Sequence, residues 1–141
     1  MEGSAFLDFV GAERTTLRIY PRVTHVAEKL HAYTMPRERE NTRVKDLPDL
    51  ALLASLGSID GAELRRGIDA TFDFRRTHEV PEMIPEPPPA WEAVYARMAA
   101  ADDLRWKSIA DLVLAVRSFI DPVLDGRTGS WDADTWSWSS R

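Results

Sequence analysis

The sequence predicts a mainly α fold: a bundle of about five helices with one short N-terminal strand. Three observations carry this. Apolar side chains recur at three- and four-residue intervals in five separate stretches, the period of a helix face. Residues that cap or stop helices stand at the ends of several of those stretches. Alternation of polar and apolar residues, the strand signature, reads clearly in one short segment.

That segment is Thr15-Thr16-Leu17-Arg18-Ile19-Tyr20, closed by Pro21. A lone strand leaves backbone donors and acceptors unpaired, so it requires a partner edge from a larger sheet or another chain. The first helix follows from Val23, Val26, Ala27, Leu30 and Tyr33 and ends before Pro36. The second spans about Val44 to Leu56, with Leu47, Leu50, Leu53 (or Leu52) and Leu56 on one face and Gly57 as its stop. Asp60 is the expected N-cap of the third, with Glu63 at capping-box spacing. Its face carries Leu64, Ile68, Phe72 and Phe74, to about His78. A crossing from Pro81 through Pro85 to Pro89 has too few backbone donors for a regular element. The fourth helix starts near Trp91, with Val94, Tyr95 and Met98. The fifth covers about Lys107 to Leu124, with Pro122 expected to bend or end it. The implied organisation is an extension over 1–14, a helical domain over 15–126 and a Trp-rich tail over 127–141. Trp131, Trp136 and Trp138 of the tail are expected to fold back over a seam of the bundle.

At 141 residues and 44% hydrophobic content, the chain is long and apolar enough for one domain with a real core. No apolar run approaches a bilayer span, and no secretory signal is evident, so a cytoplasmic protein with no membrane partner is expected. The absence of cysteine excludes disulfides, thiolate metal sites and thiol nucleophiles. The net charge of −5 conceals an asymmetry: Arg14 to Lys45 holds eight Arg or Lys against three Glu. Such a block suggests a basic face for phosphate or an acidic partner, unless the domain's own acidic helices offset it.

Lys29, Lys45, Asp46 and Asp49 are the polar residues that packing leaves unexplained. Lys29 sits one position from the apolar stripe of the first helix, where a lysine needs a partner. Asp46 and Asp49 fall in the first turns of the second helix, where carboxylates favour the positive helix end. The functional alternative places Lys29 and Lys45 beside phosphates, with Asp46 or Asp49 positioning a lysine or a ligand hydroxyl. The turn between the first two helices should bring Lys29 and Asp46 together. His25, Glu28 and His31 share a broad helix face without an evident fourth metal ligand. Arg65-Arg66 and Arg75-Arg76 read as solvated faces. There is no Gly-x-Ser-x-Gly turn and no Gly-rich phosphate loop.

The stretch Glu28-Lys29-Leu30-His31-Ala32-Tyr33, then Arg43 and Lys45-Asp46-Leu47-Pro48-Asp49-Leu50, resembles the C-terminal part of the AbiEii/AbiGii toxin family of nucleotidyltransferases. The likeness continues through Thr71-Phe72, Arg75, Thr77-His78, Pro81, the proline run to Trp91 and the tail tryptophans. It implies a type IV toxin that transfers nucleotides from NTP to an RNA such as tRNA and pairs with a cognate antitoxin. By the same resemblance Lys29 and Asp46 would be catalytic. Lys29, Lys45 and Arg43 would bind nucleotide phosphate, and Asp49 and Arg75 would support them. The sequence departs from the family in its metal carboxylates: Gly3-Ser4 is followed by a single Asp8, and the one Asp-x-Asp, Asp132-Ala133-Asp134, lies in the tail. The expectation is therefore the helical C-terminal part of such an enzyme, its orphan strand left from the larger α/β fold. It would bind no metal and be inactive alone, either working with a separately encoded N-terminal catalytic half, with Mg²⁺ and NTP entering only then, or being a remnant. The alternative is a non-catalytic interaction module for an antitoxin-like protein.

Overall fold

A computed structural model describes residues 21–36 and 44–139. The alternating segment 15–20, Gly3-Ser4 with Asp8, Arg43 and most of the basic block lie outside them. Five helices dominate the described residues: α1 (Arg22–Thr34), α2 (Asp46–Ala54), α3 (Gly61–Arg75), α4 (Trp91–Ala101) and α5 (Ile109–Leu124). The mainly α expectation is met.

α5 is the core helix. Its Leu112, Val116, Ile120 and Val123 are fully buried, and it packs against α2, α3 and α4. Ser108 caps it, accepting from the Asp111 N–H at 3.1 Å. Pro122 lies inside the helix, which stops two residues later. α1 and α3 form a second layer that closes against α2. Asp60 caps α3 as its sequence predicts, accepting from the Glu63 N–H at 2.9 Å. α1 and α3 approach closely at Gly67, where an added Cβ would stand 2.3 Å from Val23 Cγ1.

Three short strands, β1 (Ile59–Asp60), β2 (Ser130–Asp132) and β3 (Ser137–Trp138), form an antiparallel sheet in that order. This corrects the expectation that no strand follows Tyr20. Strands of two and three residues are too short to show an alternation. The pairing sets Ile59 opposite Trp131 and Trp131 opposite Trp138. Each tail indole donates to a helix carbonyl: Trp131 to Ala54 O, Trp136 to Ala115 O and Trp138 to Phe119 O. Trp131 is completely buried.

The proline crossing is anchored from both helical layers. Ile84 is fully buried, its N–H donates to Asp121 Oδ1 at 2.9 Å, and its carbonyl accepts from the Arg117 guanidinium. Tyr33 donates to Pro85 O at 2.8 Å. Three assignments of apolar residues to buried faces are overturned. Phe74 is 80% exposed at the end of α3, Leu56 lies past the end of α2, and Val94 faces outward from α4. No helix among the described residues is long and apolar enough to cross a membrane.

Candidate functional site

The first two helices bring the lysine and the carboxylates together. Lys29 lies on the α1 face turned to the first turn of α2, and its Nζ stands 2.8 Å from Asp49 Oδ2 and 3.6 Å from Asp46 Oδ1. Asp46 is buried at 2% exposure, whereas a third of Lys29 reaches solvent. Asp46 and Asp49 thus occupy the positive end of α2 and are also paired with a cation. The helix-end role and the ion-pair role coexist.

The remaining candidates are arranged differently. Lys45 immediately precedes α2 and is exposed. Arg75 binds Glu28 at 2.9 Å, tying the end of α3 to α1 through the residue next to Lys29. Arg65 donates to the carbonyls of Val123 and Leu124, closing the C-terminal end of α5. Arg65 and Arg75 make specific contacts, which corrects the reading of these two as solvated, while Arg66 and Arg76 are exposed. His25, one turn before Lys29, is held below its ordinary pKa by burial first and by the Lys29 charge second, with Asp49 opposing.

The described residues do not make a divalent-metal site. No group of three His, Asp or Glu side chains that could hold a metal occurs among the described residues. Between Asp46 and Asp49 the place a cation would take is filled by the Lys29 ammonium. His25, Glu28 and His31 do not converge on a metal either: Glu28 is engaged by Arg75, and His31 Nε2 is 2.8 Å from Thr77 Oγ1. Asp132 Oδ1 accepts from the N–H groups of Asp134 and Thr135, so Asp132-Ala133-Asp134 forms the turn between β2 and β3. The Lys29 ammonium carries three protons, and Asp49 takes one of them closely.

A second polar cluster was not singled out as a site from the sequence. Thr34 at the end of α1 and Thr77-His78 just past α3 meet around His31. Burial holds both His31 and His78 below the usual imidazole range, and for His31 the neighbouring His78 and Arg75 act in the same direction. Thr77 and His78 are adjacent in sequence, but their convergence with His31 and Thr34 depends on the α1–α3 packing.

Residues 4–122 of the chain match the family described as nucleotidyl transferase AbiEii toxin, Type IV TA system. The match begins well before Glu28, where the quoted motif starts, and leaves the tail tryptophans outside it. No curated protein matches the chain.

Proposed function

This chain belongs to the AbiEii family of nucleotidyl transferase toxins, and from that premise we propose that its helical domain supplies the phosphate-side contacts of nucleotide transfer from NTP to RNA. Lys29 and Asp46 are the catalytic contributors in this reading. Lys45 and Arg43 add charge along the phosphates, and Asp49 and Arg75 hold Lys29 and Glu28 in place. The observation that carries it is the junction of α1 and α2, where family-motif residues 29, 46 and 49 form one ion-paired cluster with solvent access at Lys29. Lysine acts here as a point charge on phosphoryl oxygens as negative charge develops.

The carboxylates that hold Mg²⁺ come from a separate catalytic half in this proposal, and the described residues act only after joining it. Membership of a type IV toxin–antitoxin family supports an antitoxin as partner, and a cytoplasmic setting is part of this reading. tRNA is the proposed acceptor.

The test is labelled-nucleotide transfer to total tRNA by the chain combined with a family catalytic half. Lys29→Ala is expected to lower labelling about a hundredfold. Asp46→Asn should lower it in the same assay. A second reading has its own support, since the Lys29 ammonium already lies between two carboxylates. In that reading the cluster is a clasp between α1 and α2 of an antitoxin-binding module. Lys29→Ala would then reduce thermal stability and leave labelling unchanged.

A further inference from the structure

Past the end of α3, the chain turns back over α1 through Arg76, whose φ of 54° is left-handed. This sets Thr77 Oγ1 2.8 Å from His31 Nε2 and 2.8 Å from His78 Nδ1. On its other side the His78 ring reaches Thr34, with Nε2 2.8 Å from Thr34 Oγ1. Thr34 in turn stands 2.9 Å from Leu30 O.

The proton positions follow from that last contact. A carbonyl oxygen can only accept, so the single Thr34 hydroxyl proton goes to Leu30 O. Thr34 Oγ1 must then accept from His78 Nε2–H, which leaves His78 Nδ1 as a bare acceptor. Thr77 donates its proton to that nitrogen and accepts from His31 Nε2–H. The opposite order would leave two oxygens, those of Thr34 and Leu30, 2.9 Å apart with no proton between them. The result is a hydroxyl aimed at an imidazole nitrogen, with the imidazole held in the required tautomer by a third group. Thr77 is exposed, while His31 is buried behind it.

We propose that Thr77 is a nucleophilic hydroxyl, with His78 as its general base and Thr34 as a positioning residue, that accepts an acyl group from a neutral activated ester. Thr77 Oγ forms a bond to the ester carbonyl carbon, and its proton passes to His78 Nδ1. The bond from that carbon to the leaving oxygen then breaks, and the alcohol departs with the proton returned by His78 or drawn from solvent. Nothing is oxidised or reduced, and the product is acyl-Thr77. The hollow of about 390 Å³ that His78 lines next to Thr77 favours a neutral donor over a phosphorylated one, because Asp73 and Glu79 outnumber Arg76 there and Asp69 is already paired with Arg65. His31 and the Glu28–Arg75 pair face the rings from α1 and α3. This site is separate from Lys29 and Asp46 and independent of the function proposed for them.

The experiment exposes the full chain to 4-nitrophenyl acetate and locates acetyl groups by peptide mass spectrometry. One acetyl group is expected on Thr77. It should persist in Thr77→Ser, vanish in Thr77→Val and form about a hundredfold more slowly in His78→Gln. Thr34→Val should slow it less. The rate should rise with pH and reach half its plateau below pH 6.5, because burial lowers the His78 pKa from that value. Circular dichroism of each variant separates loss of reactivity from loss of fold. Three results would overturn the proposal: acetylation confined to lysines or the N-terminus, an unchanged rate in folded His78→Gln, or Thr77 labelled by the γ-phosphate of ATP in preference to the ester.

Discussion

His25, His31 and His78, the three histidines of the chain, are all held below pH 6.5 by burial, so the folded state favours their neutral forms. The unfolded chain therefore binds more protons once the pH falls through that value, and stability must decline with acidity. The loss begins as pH drops below the unfolded value and levels off below the lowered folded values. Melting temperature measured from about pH 7.5 down to about pH 5 should fall, and His78→Gln should flatten the slope. A melting temperature constant over that range would contradict the burial of these rings. Lys29 illustrates what a sequence reveals at this scale. Its helical face and its need for a partner were legible, and so was its approach to Asp46. The closer partner is Asp49, at 2.8 Å from the ammonium against 3.6 Å for Asp46. The distinction depends on how the two helices are offset, which no local pattern encodes.

Helices were legible because apolar spacing and caps are local. Asp60 reads as a cap from its own position and that of Glu63, and the structure agrees. The proline crossing was legible as irregular chain, but its anchoring was not. Asp121 and Arg117 look like the solvent face of α5, yet they satisfy both backbone groups of buried Ile84. The small sheet escaped because β1 and β2 are some seventy residues apart and each is too short for a pattern. Gly67 gives the clearest prediction for an element contact. Gly67→Ala improves helix propensity, but its methyl would collide with Val23 on α1. Urea unfolding should show a loss of about 1–3 kcal/mol. Adding Val23→Ala should recover part of it, since the two positions share the contact. A Gly67→Ala protein as stable as the parent would show that α1 and α3 are farther apart than described.

At the scale of the molecule, the tail completes the core. Trp131 lies among Phe119, Trp136 and Trp138 and donates to Ala54 O at the end of α2, so it joins α2, α5 and the sheet. Replacing it with Ala should cost about 3–5 kcal/mol by denaturant unfolding, a large share of the roughly 5–15 kcal/mol typical of a domain. A cost near zero would mean that the tail is peripheral. The division of labour proposed for the enzyme also belongs to this scale: the helical domain brings Lys29 and Asp46, and the metal carboxylates come from a separate half. Nucleotide transfer requires that metal charge at the reacting phosphate, so neither part should suffice alone. The most direct measurement is incorporation of labelled NTP into total tRNA with Mg²⁺, by the purified 141-residue protein alone and after addition of a family catalytic half. The account predicts unlabelled RNA in the first case and labelled RNA in the second. Robust labelling by the protein alone, or none after the addition, would contradict it.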